Sequence, residues 1–185
     1  MTSAASVGGD ERLRLFLALQ LPEPTLDILE HWRDAQLRDG RAVPRDSLHI
    51  TLAFLSSRPA GELPAIVDAL RLSAAESAAP RLEPSAWRET RSVGMLALRE
   101  EGGVAAVLAD RLHGRLERLG VYRRETRPWL PHVTMLRFRT RPRLEPPLPE
   151  TGTFVPSGAA AYLSRLHPSG ARYEVLERVS LNAGG

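Results

Sequence analysis

The sequence predicts an α+β fold with two pseudo-symmetric lobes: facing, mainly antiparallel sheets, helices outside and a central cleft. Two observations carry this. The order strand, helix, strand appears twice along the chain. Each second strand carries the same short pattern, Leu48-His49-Ile50-Thr51-Leu52 in the first half and Pro131-His132-Val133-Thr134-Met135 in the second. Side chains two apart in a strand share a face. His49 and Thr51 therefore share one face and Leu48, Ile50, Leu52 and Phe54 the other. His132 and Thr134 repeat this against Val133 and Met135.

In chain order, residues 12–21 alternate as a strand. Leu13, Leu15, Leu17 and Leu19 lie on one face; Arg14, Phe16 and Ala18 lie on the other. Pro22 and Pro24 open a helix over 25–37 with Ile28, Leu29, Trp32 and Ala35 inward. The first His-x-Thr strand follows at 47–55. Arg58-Pro59 turns the chain into a helix over 60–77, carried by Leu63, Ile66, Val67 and Leu70. Residues 80–90 make a poor strand, broken by Pro84.

The second half begins with a strand at 92–99. A helix at 104–119 follows, with Val107, Leu108, Leu112 and Leu119 inward and Gly120 as its C-cap. The second His-x-Thr strand spans 130–138. Residues 139–149, with four prolines and three arginines, read as a loop. Strands at 153–165 and 172–181 flank a turn at Pro168-Ser169-Gly170, beside His167. Residues 12–181 are expected to form one bilobal domain of two pseudo-repeats, 12–91 and 92–181, after a disordered leader at 1–11 and before a tail at 182–185.

Composition narrows the chemistry. With no cysteine there is no disulfide, thiolate metal site or cysteine nucleophile. No apolar run is long enough to span a bilayer, and a cytoplasmic monomer is expected. All 25 basic residues are arginine and the net charge is +3, which permits an RNA partner without requiring one. Gly-x-Ser-x-Gly, Walker and dinucleotide loops are all absent. Histidine titrates near neutrality, so two histidines can share the work of general acid and base. Threonine hydroxyls can donate to phosphate oxygens. Such a site suits a phosphodiester and needs no metal or cofactor. A zinc reading is weaker, because neither motif holds a further ligand.

These residues resemble the 2H phosphoesterase superfamily, and within it the bacterial RNA 2',3'-cyclic phosphodiesterase branch, also called 2'-5' RNA ligase. The likeness covers Arg14 to Leu19 with Leu21-Pro22, Ser47 to Leu55, Pro131 to Thr134, Leu163 to Leu166 and Gly170 to Leu176. It implies hydrolysis of RNA 2',3'-cyclic phosphate ends to 2'-phosphates, with reversible ATP-independent 2'-5' joining. A small cyclic-phosphate nucleotide, a 2'-5' oligonucleotide or simple binding of RNA ends are the alternatives. By the resemblance His49 is the proton donor and His132 the proton acceptor, while Thr51 and Thr134 bind phosphate. The sequence alone does not order the two histidines. Arg137 stands at a phosphate-contacting position of the family, yet strict alternation puts it on the face opposite His132. It reaches the site only if the strand bends or ends there. Phe16 and Trp129 are candidates for base stacking, with core packing as the alternative for each. The arginines from Arg137 to Arg143 could meet an RNA backbone or simply be solvated. His31, His113 and His167 are expected on helix surfaces or a turn and need no role. The chain departs from the family at Ser56-Ser57, where a glycine is usual, at Met135-Leu136, where Leu-Ala is usual, and at Leu96-Ala97-Leu98, where a tryptophan often stands.

Overall fold

The computed structural model describes residues 11–182. The expected leader, apart from Glu11, and the tail beyond Asn182 lie outside them. The strands are β1 (Arg12–Gln20), β2 (Arg41–Ala42), β3 (His49–Pro59), β4 (Leu82–Glu89), β5 (Val93–Glu100), β6 (His132–Arg137), β7 (Gly158–Arg165) and β8 (Arg172–Val179). The helices are α1 (Glu23–Gln36), α2 (Leu63–Ala75) and α3 (Val104–Arg118).

The strands run antiparallel in the order β4-β5-β6-β3-β1-β7-β8, with β2 also paired to β6. The two expected sheets meet edge to edge. One ladder pair, Ile50 with Val133, joins β3 to β6 and makes a single eight-stranded sheet. The half-sheets are not the halves of the chain. β4 pairs with β5, and the last hairpin, β7–β8, pairs with β1.

All three helices lie on one side of this sheet. Leu15, Leu17, Leu19, Ile50, Val133 and Met135 share a core with Leu29 of α1, Ile66 and Leu70 of α2, and Leu108 and Leu112 of α3. Helices α2 and α3 pack on the half-sheet of β3, β1, β7 and β8. Helix α1 serves the other half. Trp32 meets Trp87 of β4 edge-on at 6.0 Å, and the buried Arg33 donates to the Val43 carbonyl at 2.5 Å. The other face of the first half-sheet carries a smaller apolar cluster of Phe16, Ala18, Ala160 and Tyr162, flanked by Tyr173 and Val175. Strand β1 is therefore buried on both faces, with its leucines under the helices and Phe16 and Ala18 on the other side.

Several helix residues expected inside are outside: Ile28 is 37% exposed, Val107 47% and Leu119 45%, and Ala35 is also exposed. Each sits at the border of its apolar stripe, where helical spacing does not fix the side. Residues 82–89 form a full strand despite Pro84, because β4 is the sheet edge and an edge strand spares one backbone donor. Strand β3 continues through Arg58-Pro59, where a turn was expected, and Arg58 pairs in register with Leu13. The hairpin turn forms as expected, with the Gly170 N–H donating to the His167 carbonyl at 2.8 Å.

Ser56 has φ of 57°, in the left-handed region that favours glycine, beside a register shift opposite Leu15 and Phe16. The departure from the family's glycine therefore carries a backbone cost. Ser56→Gly is expected to match or exceed the stability of the unaltered protein in urea denaturation, and Ser56→Ile to lower it by about 1–2 kcal/mol.

Candidate active site

The seam where β3 meets β6 gathers both motifs. Around the Ile50–Val133 pair the antiparallel register sets His49 across from Thr134 and Thr51 across from His132. Ile50 and Val133 are fully buried toward the helices. The two histidines and two threonines project to the other face, each half-buried.

Each histidine is held the same way. Nδ1 of His49 donates to the Ser47 carbonyl at 2.8 Å, and Nδ1 of His132 donates to the Leu130 carbonyl at 2.8 Å. A carbonyl only accepts, so the neutral rings carry their proton on Nδ1 and leave Nε2 basic. His49 Nε2 lies 3.1 Å from Thr51 Oγ1, and this hydroxyl donates to it. His132 Nε2 has no protein partner among the described residues.

Both strands break alternation at the same place. Opposite β1, Thr51 pairs with Ala18 and Ala53 with Leu17, so Leu52 is an extra residue. Opposite β5, Thr134 pairs with Met95 and Leu136 with Gly94, so Met135 is extra. Leu52 and Ala53 are both buried, as are Met135 and Leu136. The residue after each bulge is thereby turned to the histidine face. In β6 that residue is Arg137. Strict alternation had placed it on the far side, and the bulge supplies the bend it needs. In β3 it is Phe54, expected among the core leucines but 43% exposed on the site face, with the Arg14 guanidinium 4.7 Å from its ring centre.

The two histidines sit in different surroundings. The His49 ring lies 4.8 Å from that of Phe16 and 5.5 Å from that of Tyr173, which meets it edge-on. Removal from water, with the His132 and Arg137 charges added, lowers its pKa from 6.5 to about 4, against the raising effect of its bond to Ser47. His132 has Ala97 as its neighbour on β5. Phe16 itself is 3% exposed, stacked on Tyr162 at 4.8 Å and tilted against His49, so neither face is free for a base. Trp129 is half-buried against the core and donates its indole N–H to the Thr51 carbonyl at 3.0 Å, tying the approach to β6 onto β3.

A family model described as the 2'-5' RNA ligase superfamily matches residues 21–167. The chain belongs to this superfamily. A curated relative from Escherichia coli, named RNA 2',3'-cyclic phosphodiesterase, is 31% identical over 92% of this chain and 98% of its own. One of the same name from Thermus thermophilus is 31% identical over 91% of this chain and 90% of its own. The crystal structure of E. coli LigT complexed with 3'-AMP aligns with a TM-score of 0.76 at 28% identity, covering 92% of this chain and 99% of that one. A crystal structure of a T. thermophilus protein aligns at 0.78 with 30% identity, covering 94% and 100%.

The superfamily's motifs need a frame here, and two parts of it escaped the sequence. The bulges leave ladder carbonyls that outside donors must meet. The Met135 carbonyl accepts the Val43 N–H at 2.9 Å. The Leu52 carbonyl accepts from Nε2 of His113, at 2.7 Å. His113 was assigned to a helix surface; it is 4% exposed beside Tyr122, and burial lowers its pKa. Its signal was an apolar neighbourhood on α3, which spacing alone does not distinguish from a helix flank. No group of three or more histidine, cysteine, aspartate or glutamate side chains placed to hold a metal occurs among the described residues. No helix there is long and apolar enough to cross a membrane.

Replacing His113 by Leu leaves the Leu52 carbonyl buried without a donor and is expected to cost about 1–3 kcal/mol in denaturant titrations. The depressed pKa of His49 gives a pH effect of defined sign. Between pH 6.5 and about 4 the unfolded chain holds a proton on His49 that the native protein lacks, so stability falls as pH falls through that window. His49→Asn, whose amide can still donate to Ser47, is expected to flatten the stability–pH slope there. An unchanged slope would show that His49 is not desolvated.

Proposed function

We propose that this protein opens 2',3'-cyclic phosphates at RNA ends to 2'-phosphomonoesters, by acid–base catalysis between two histidines. The pairing of the two His-x-Thr strands about Ile50 and Val133 carries the reading, because it sets two anchored imidazoles and two hydroxyls around one point. The names of the two curated relatives support the same reaction.

In the proposed reaction, water attacks phosphorus and gives its proton to Nε2 of His132. The bond from phosphorus to O3' breaks, and O3' takes a proton from Nε2 of His49. The products are a 2'-phosphate and a free 3'-hydroxyl. Thr51, Thr134 and the Arg137 guanidinium hold the non-bridging oxygens as negative charge builds on them. The open face of Phe54 takes the base. No step requires a metal.

The proton donor must be charged when substrate is bound, and His49 is neutral at pH 7 in the empty site. The anionic substrate resolves this. Its charge offsets that of Arg137 and stabilises the imidazolium against the cost of burial. Thr51, which donates to Nε2 in the empty site, then turns its hydroxyl to the phosphate. With the 5'-hydroxyl of a second RNA attacking phosphorus in place of water and O3' leaving as before, the same chemistry joins ends through a 2'-5' bond, and its reverse cleaves that bond.

The first test is phosphorus NMR of the protein with a short RNA ending in a 2',3'-cyclic phosphate, in EDTA. The expected product is the 2'-phosphomonoester. His49→Ala and His132→Ala are each expected to lower kcat about 10²–10⁴-fold while retaining the native circular dichroism spectrum. A 3'-phosphate product would exchange the leaving oxygen. Tight RNA binding without turnover would replace the enzyme by a binder.

A further inference from the structure

Beside the seam lies a hollow of about 880 Å³ lined by Asp39, Gly40, Arg41 and the segment from Arg137 to Pro142. It begins where the proposed site ends, since Arg137 belongs to both. Arg41 and Arg137 are direct partners across the β2–β6 ladder. Directly opposed residues of an antiparallel pair project to the same side, and like charges in that position destabilise it. Neither arginine, nor Arg139 in the same wall, has a carboxylate within ion-pairing distance among the described residues. Asp39, which also lines the hollow, pairs with none of them. Eleven of the 25 arginines pair with a carboxylate among the described residues, so a lone unpaired arginine is ordinary here; two set directly opposite one another across a ladder are not. Arg141 shows the contrast: it is paired to the carboxylate of Glu89, whose side chain is 2% exposed. That carboxylate also accepts the backbone N–H groups of Arg143 and Leu144, and these bonds outweigh its burial and hold its pKa below the ordinary range. The wall carrying the unpaired arginines is thus tied down.

Among the described residues the Arg41 side chain has one polar contact, donating to the Ser169 carbonyl at the β7–β8 turn at 2.5 Å. A carbonyl accepts a hydrogen bond without cancelling the charge. Two opposed cations in a fixed wall, continuous with a phosphate site, lack an anion.

We infer that the hollow is a second phosphate subsite, in which Arg41 and Arg139 hold the internucleotide phosphate next to an RNA end whose cyclic phosphate lies at the seam. The inference rests on the reaction proposed above for its choice of ligand. A cyclic mononucleotide has one phosphate and leaves the hollow empty; an RNA chain fills both. The subsite therefore selects polymer ends over single nucleotides.

The test is binding, so that it stands even if no turnover is seen. A 5'-fluorescein-labelled RNA trinucleotide with a 3'-phosphate is titrated by anisotropy, and unlabelled 3'-AMP by competition against it. The double variant of Arg41→Gln and Arg139→Gln keeps a donor for Ser169. It is expected to weaken trinucleotide binding about tenfold and 3'-AMP binding less than twofold. The slope of log Kd against log salt should become shallower by about 0.7 for the one lost phosphate contact. Arg118→Gln on α3 removes a charge from the helix side of the sheet and is expected to change neither ligand's affinity. Equal losses for both ligands, or none for either, would overturn the subsite while leaving the reaction at the seam to the NMR experiment. Loss of RNA affinity in Arg118→Gln would reduce the effect to net charge and overturn it as well.

Discussion

One backbone ladder pair holds the two halves of this protein in register. Ile50 and Val133 are the central residues of both motifs, and their pairing decides that each histidine faces the other strand's threonine. Both side chains are fully buried under the helices. A slip of one residue would turn the whole set over, burying imidazoles and exposing apolar groups. Burial of this pair thus fixes the position of four polar groups on the opposite face of the sheet.

The second constraint is the repeated bulge. Strict alternation would put Ala53 and Leu136 third on the histidine face. The extra residue, Leu52 in one strand and Met135 in the other, hands that position to the next residue along. Through this device the symmetric frame yields an asymmetric site, since the third residue is Phe54 on one side and Arg137 on the other. A similar division separates the histidines: one is nested against Phe16 and Tyr173, the other lies next to Ala97.

The strand order, the motifs and the shared face of His49 with Thr51 were legible because they depend on local period and on residue type. What stayed hidden depends on neighbours. Nothing in Ile50-Thr51-Leu52-Ala53-Phe54 announces a bulge, so alternation alone puts Phe54 in the core and brings Arg137 to the site only if its strand bends. Phe16 stands on the site face as expected, but β7 and β8 bring Tyr162 and Tyr173 against it from far along the chain, and its ring is consumed in packing. His113 could not be told from a surface residue without knowing that α3 crosses the bulged part of β3. Pro84 argued against a strand that exists because β4 lies at an edge, a position the sequence does not declare.

The pairing of β1 with β7 has a consequence for how the molecule is made. Of the eight strands, β1 leaves the ribosome first and β7 next to last, with Leu15 finding Leu163. Until the β7–β8 hairpin emerges, β1 keeps one edge unpaired and one face of Phe16 and Ala18 uncovered. Contacts of such sequence separation are slow to form and leave the nascent chain open to wrong partners. The aromatic wall that desolvates His49 is completed by Tyr162 and Tyr173 in that same step. The chain therefore acquires its finished histidine environment only after every other strand has been made, and a molecule truncated before β7 would carry both motifs without the setting that distinguishes them.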